Sequence, residues 1–374
     1  MKVLFLSITA GQGHLSTAKA VNDLLTARGV ECRVVDTYAY LNPVLYETIS
    51  RGYLMATAIT PDAYGRVYRA AEKKRQHDSL HSLTGVANSI LSVKLKRLIE
   101  EEFRPDVIVC SHIFAAQVVN VMKTRGWIHA PVIGIVTDFT IHPFWQDVTH
   151  IEYIVTASEL LTLQAVKRGI AREQILPFGI PVNPKFSRSI PKAEARRSLG
   201  IDEDRKTVLL MSGSMGYGNL AHTLATIDSL ETDFQVLAVC GNNERALRKI
   251  ERMRTHRPVY KFGFVNNVDL MMDAADCIVT KPGGLTTSEA LAKNLPVVMA
   301  NPIPGQEERN VEFLLNNGMA INTTKTFPVD EALYQLFLYP QRLQSMIENI
   351  RLLSKPHATE TLCDFIMGLP GRKE

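Results

Sequence analysis

The chain is poor in patterned cysteine, in long apolar runs and in any excess of one charge. Its five cysteines, Cys32, Cys110, Cys240, Cys277 and Cys363, are scattered and form no C-x-x-C pair. Lying within or beside apolar runs, they read as buried, reduced thiols of a cytosolic protein and exclude a disulfide frame. No segment approaches ~18 uninterrupted apolar residues, and the strand-like run that begins at Lys2 has no charged leader before it, so neither a membrane span nor a signal peptide is expected. Forty-two Lys and Arg against 38 Asp and Glu leave a net +4 over 374 residues. With no arginine-rich tail and no aromatic-basic repeat, a nucleic-acid partner is not expected. Metal-ligand spacings such as H-E-x-x-H are missing as well, so no metal and no cofactor is expected.

What is present is ample apolar residue, 46% of the chain, in a length beyond the roughly 250–300 residues at which one core stops growing. Two domains follow. Short β-branched runs at 3–8, 32–35, 107–110, 132–136 and 153–156 alternate with helix-compatible stretches, the mark of a parallel sheet covered by helices. The pattern restarts at 207–211 and continues through 235–239, 259–262, 277–280 and 296–299. Between the two series lies a proline-punctuated, charged passage. The reading is an α/β chain with a doubly wound domain at 1–182, a linker at 183–205, a second doubly wound domain at 206–352, and a terminal helix at 353–374 that packs back on the first domain.

Two glycine-rich turns carry the chemistry. Gly11-Gln12-Gly13-His14 follows the first strand, and Lys281-Pro282-Gly283-Gly284-Leu285-Thr286 follows the run at 277–280. A strand feeding a tight turn that opens a helix aims unpaired N–H groups outward, where a phosphate can sit. The first turn has Ser16 where a dinucleotide fingerprint would have its third glycine, so NAD is a poor reading. A histidine at a helix N-terminus is disfavoured in its charged form, which leaves His14 neutral and able to accept a proton, or else merely capping the turn. In the second turn Thr286, Thr287 and Ser288 supply hydroxyl donors, and Glu289 either closes a capping box with Thr286 or accepts the hydroxyls of a ribose.

Three further segments sit at strand ends. Ser212-Gly213-Ser214-Met215-Gly216 repeats the glycine turn in the second half. Pro302-Ile303-Pro304-Gly305-Gln306-Glu307 displays an amide and a carboxylate on a rigid turn, suited to sugar hydroxyls or simply solvated. Thr137-Asp138-Phe139-Thr140-Ile141-His142-Pro143-Phe144-Trp145 offers groups to order an acceptor hydroxyl and a ring to stack on a sugar, although Trp145 is equally suited to the core. Between Tyr38 and Tyr68 lie six of the eleven tyrosines, with Lys73-Lys74-Arg75 close behind. Amphipathic rings beside a basic cluster suit a membrane surface, or a helical excursion packed on the core.

Taken together, G-x-G-H, T-D-F-x-x-H-x-x-W, M-S-G-S-x-G, K-P-G-G-L-T-x-S-E-A and P-x-P-G-Q-E-x-x-N resemble, in order and spacing, the diacylglycerol glycosyltransferases. These include the processive diacylglycerol glucosyltransferases of bacteria and, more distantly, plant monogalactosyldiacylglycerol synthases and the lipid I N-acetylglucosaminyltransferase. The resemblance implies a GT-B architecture of two facing Rossmann-like domains, with the acceptor lipid on the first and the nucleotide sugar on the second. It implies that His14 is the general base, that Gly13, Asp138, His142 and Trp145 serve the acceptor, and that Gly213, Gly216 and Gly284 line the donor site. It also implies that Val265 meets uracil through its backbone, that Thr286 and Thr287 hold the diphosphate, that Glu289 holds the ribose, and that Gln306 with Glu307 meets the hexose and its phosphate. The partners expected are a UDP-hexose, diacylglycerol or its glycosylated form, and the cytoplasmic face of a bacterial membrane. Alternatives are a UDP-N-acetylglucosamine transfer to another lipid and a UDP-sugar epimerisation.

Overall fold

The computed structural model describes residues 1–9, 12–41, 93–211, 213 and 218–371. The chain divides into two compact units, Met1–Pro184 with Pro304–Gln306 and His357–Glu374, and Lys185–Ile303 with Glu307–Pro356. In the first unit the order is β1 (Lys2–Ser7), α1 (Gln12–Ala27), β2 (Glu31–Asp36), α2 (Thr37–Leu41), β3 (Val107–Cys110), α3 (Ile113–Thr124), β4 (Val132–Ile135), β5 (Tyr153–Val155), α4 (Thr162–Lys167) and β6 (Ile175–Leu176). The second runs through α5 (Lys192–Ser198), β7 (Thr207–Met211), α6 (Leu220–Asp228), β8 (Gln235–Val239), α7 (Glu244–Glu251), β9 (Val259–Phe262) and α8 (Val268–Ala274). It continues with β10 (Cys277–Thr280), α9 (Gly284–Ala292), β11 (Val297–Met299), α10 (Gln306–Asn316), β12 (Ala320–Asn322), α11 (Val329–Leu338) and α12 (Pro340–Leu353), and the chain then returns to the first unit as α13 (Ala358–Gly368).

Among the described residues both sheets have six strands, in the orders β2-β1-β3-β4-β5-β6 and β12-β11-β10-β7-β8-β9, and every pairing is parallel. The central strands are buried throughout, as the unbroken apolar runs require when helices cover both faces. In each sheet the strand order reverses once, between β1 and β3 in the first unit and between β7 and β10 in the second. Outside the carboxyl ends at such a reversal, the helices that follow leave on opposite faces and open a crevice, where ligands of doubly wound sheets bind.

Two departures from the sequence reading have clear causes. From Lys185 on, the passage expected as a linker at 183–205 belongs to the second unit, into which α5 carries a buried cation. Arg196 donates to the Ala274 carbonyl at 3.0 Å, to the Glu203 carbonyl at 2.8 Å and to Asp276 at 2.8 Å. Part of the charge in the expected linker is thus a buried tie. Trp145, offered as a stacking surface, is 4% exposed and lies against Gly134 of β4. A Cβ at Gly134 would fall 2.4 Å from its Cζ3, so the indole occupies the space a side chain would take. Gly134→Ala is therefore expected to destabilise the first unit by about 1–3 kcal/mol through overpacking, read as a lower thermal midpoint; an unchanged midpoint would remove this assignment.

The terminal helix α13 closes the first core. Leu362, Cys363 and Ile366 are fully buried with Val21 and Leu25 of α1. Phe365 meets Tyr153 edge-on at 4.9 Å, and Thr359 Oγ1 donates to the Val182 carbonyl at 2.6 Å. Among the described residues no helix is long and apolar enough to cross a membrane.

Candidate active site

The first site grows from the reversal between β1 and β3. Ser7 ends β1 and Ser111 directly follows β3, and their hydroxyls are joined at 2.9 Å in a buried pair. His14, the third residue of α1, has Nδ1 2.9 Å from the Ser111 carbonyl and 3.0 Å from Thr137 Oγ1. A carbonyl oxygen only accepts, so Nδ1 carries the proton and Nε2 keeps its lone pair. Burial lowers the His14 pKa below its ordinary value, while Asp138 and the Ser111 carbonyl pull it back up. The ring is thus a neutral base at neutral pH, with its tautomer set by the end of β3.

A second histidine supports the first. His112 caps α3 by accepting the Phe114 N–H on Nδ1 at 3.1 Å, and its ring stands edge-on to His14 with centroids 4.4 Å apart. Burial, and then the proximity of His14 and His142, holds its pKa well below the ordinary value. Two imidazoles at that spacing resist a shared gain of charge. His142 repeats the arrangement, capping the short turn Pro143–Asp147 by accepting the Phe144 N–H at 3.1 Å. The structure thus brings His14, Asp138 and His142 together and adds Ser111, His112 and Thr137. His112 was absent from the sequence reading, because its place just past β3 gains meaning only once β3 is paired with β1, the strand that feeds the first glycine turn. Gly13 is the second residue of α1, and Gly11 lies outside the described residues.

The second site sits at the reversal between β7 and β10. Helix α9 starts at Gly284 with Gly283 as its cap and no side-chain capping bond, so Thr286 and Glu289 do not form the capping box their spacing allows. Of the first N–H groups, that of Thr287 donates to the Gly283 carbonyl at 3.0 Å. Those of Gly284, Leu285 and Thr286 take no acceptor among the described residues. Three unpaired donors at the positive end of a helix dipole form an anion cradle. The threonines differ: Thr287 is fully buried and Thr286 is not, which leaves Thr286 as the hydroxyl at this turn. Ser288 is spent on the Gly284 carbonyl at 2.8 Å.

Neighbouring side chains hold the cradle in shape. Lys281 Nζ is ion-paired with Glu307 Oε1, Glu307 Oε2 accepts the Ile303 N–H at 2.8 Å, and buried Asn310 donates to the Pro282 carbonyl at 2.9 Å. Glu307 is 6% exposed with both oxygens engaged. The expectation of a displayed carboxylate is corrected accordingly: this group ties two strand-end loops together. Gly283 fits between them, since a Cβ there would meet Lys281 Nζ at 3.2 Å and Glu307 Oε1 at 3.4 Å. Gly213, at φ +65°, lies beside the Lys281 stem, whereas Gly216 and the Gln306 side chain are outside what is described.

Glu289 is one helical turn beyond the cradle. Its carboxyl group forms no hydrogen bond or ion pair among the described residues. Burial pushes its pKa up to about 8, with Lys185 opposing and Asp269 adding to the rise. Lys185 Nζ pairs with Asp269 at 2.8 Å and donates to the Asn266 carbonyl, so the loop holding Val265 belongs to the surroundings of Glu289. The Val265 backbone takes no hydrogen-bond partner among the described residues.

Comparison with known proteins agrees with this division. Residues 14–182 match the family model of monogalactosyldiacylglycerol (MGDG) synthase, and residues 191–352 match that of glycosyl transferases group 1. A MurG crystal structure from Acinetobacter baumannii superposes with a TM-score of 0.65 over 98% of this chain and 99% of that chain, at 14% identity. A UDP-GlcNAc 2-epimerase from Neisseria meningitidis, bound to UDP-GlcNAc, gives 0.58 over 99% and 100%, at 13% identity. Fold and family domains define the class: a glycosyltransferase with the two parallel-sheet domains of the GT-B fold. Within that class the chain is similar to the diacylglycerol glycosyltransferases: it is 28% identical over 369 residues, 98% of this chain and 94% of the relative, to a processive diacylglycerol beta-glucosyltransferase of Bacillus pumilus.

Proposed function

We propose that the protein transfers a hexose from a UDP-hexose to diacylglycerol with inversion, giving a β-glycolipid. The observation that carries this reading is the His14 imidazole, kept neutral by burial with Nδ1 tied to the Ser111 carbonyl, so that Nε2 accepts the proton of an attacking alcohol. A primary hydroxyl is far too weak an acid to ionise beforehand, and its proton leaves as the oxygen attacks the anomeric carbon. Asp138 favours the imidazolium that forms. On the donor side, the N–H groups of Gly284, Leu285 and Thr286 receive the charge that develops on the departing diphosphate, with the dipole of α9 adding to them. Glu289 takes the ribose hydroxyls, and the open Val265 backbone takes the edge of uracil.

The test is a product assay with purified protein, diacylglycerol vesicles and a panel of UDP-sugars. A β-hexosyl-diacylglycerol appearing together with UDP is the expected result. A new UDP-sugar epimer formed without lipid would overturn it in favour of an isomerase. In the same assay EDTA is expected to leave transfer intact, because backbone N–H groups do the work of a cation at the diphosphate; abolition by EDTA would remove the cradle from this role. Of the tyrosine-rich segment, Tyr38 is buried, with its pKa pushed up to about 12, and residues 42–92 lie outside the described part. Membrane association through that segment remains a proposal, tested by deleting its basic cluster and measuring vesicle binding.

A further inference from the structure

We infer that the basic face of α7 is an electrostatic docking surface for an anionic lipid bilayer. Arg245, Arg248, Lys249 and Arg252 recur at i, i+3, i+4 and i+7, which places them within about 100° of the helix circumference. All four are exposed, and they alone line a hollow of about 320 Å³. On the other side of the helix Ala246, Leu247, Ile250 and Met253 pack against the second core. The apolar face anchors the helix to its own domain and leaves the charged face to solvent.

The charge is in excess of its local partners. Arg248 pairs with Glu244 at 3.0 Å, with both side chains more than half exposed. The side chains of Arg245, Lys249 and Arg252 make no ion pair or hydrogen bond among the described residues. Like charges at i, i+4 destabilise a helix, and here Arg245 faces Lys249 while Arg248 faces Arg252. An external layer of anions relieves that repulsion, and guanidinium forks suit phosphate oxygens. No aromatic side chain interrupts the stripe to stack on bases, which disfavours single-stranded nucleic acid. The choice of a bilayer rests on the proposed acceptor, a lipid of the membrane; the test omits donor and acceptor, so that it stands apart from that reading.

The full-length protein is sedimented with phosphatidylglycerol vesicles and, separately, with phosphatidylcholine vesicles. Each basic residue at an anionic surface is worth about fivefold in partition. Arg245→Gln/Lys249→Gln/Arg252→Gln is expected to weaken binding to phosphatidylglycerol about 100-fold at low salt, and high salt to weaken the parent likewise by shortening the screening length. Lys325→Gln/Arg342→Gln/Arg351→Gln removes the same charge elsewhere on the second unit and is expected to change binding far less. Thermal midpoints measured on the same samples report folding, and Arg245→Gln/Lys249→Gln alone provides a milder variant. Parent-like binding by the triple variant, an equal loss in the control, or equal binding to phosphatidylcholine would each overturn the assignment. So would a loss seen with polyuridylate but not with vesicles, which would give the stripe to a nucleic acid.

Discussion

Replacing His14 by alanine is expected to lower turnover about 10²–10⁴-fold, the range a well-placed general base contributes, and to leave affinity for UDP unchanged. The base acts only on the acceptor proton, and none of the donor groups of the second unit depends on it. The pH profile supplies an independent sign. Burial lowers the His14 pKa from its ordinary value near 6.5, so activity rises with pH across a limb below that value and is level above it. Asp138 raises this pKa. Asp138→Asn therefore moves the limb to still lower pH and slows the plateau, because a weaker base takes the proton less readily. An alanine variant with parent-like turnover would remove His14 from the chemistry. A limb that moves up in Asp138→Asn would show that the carboxylate acts in some other way.

The strands legible in the sequence were the long β-branched runs, most of them buried on both faces, with the half-exposed edge strands β2 and β9 among them. Runs such as 3–8, 107–110 and 277–280 are continuous because parallel strands between helices meet apolar surface on either side. The edge strands β6 and β12 escaped notice, since two and three residues carry no periodicity. Both glycine turns were legible for a local reason: strand, tight turn and helix start adjoin in sequence. His112 was not, because its relation to His14 is made by β1 pairing with β3 across about 100 residues that propensity does not connect. The same limit explains Glu307 and Trp145. A carboxylate in a proline-glycine loop looks displayed until Lys281 and the Ile303 N–H are found to meet it. A tryptophan near a strand end looks available until Gly134 is seen to leave room for it.

Glu289 gives the donor site a pH dependence of its own. Its carboxyl titrates near 8 in the free protein, so at neutral pH most molecules hold it protonated. A carboxylate that accepts two ribose hydroxyls is stabilised in its ionised form, and binding therefore expels a proton. Below about pH 8 the affinity for UDP-glucose is expected to rise with pH, by up to about tenfold per unit and so up to about 100-fold between pH 6 and 8. UDP-glucose is the proper probe, since its diphosphate diester has no titration in that range whereas the terminal phosphate of UDP does. Calorimetry in buffers of different ionisation enthalpy counts the released proton directly. Stability carries the opposite sign. A carboxyl raised from 4.5 to about 8 on folding contributes stability that is fully present below 4.5 and lost as pH rises through 8. Glu289→Gln, which keeps the neutral shape, is expected to flatten both curves while leaving the fold intact. Affinity for UDP-glucose that is level with pH in the parent, with no proton released, would take the ribose away from Glu289.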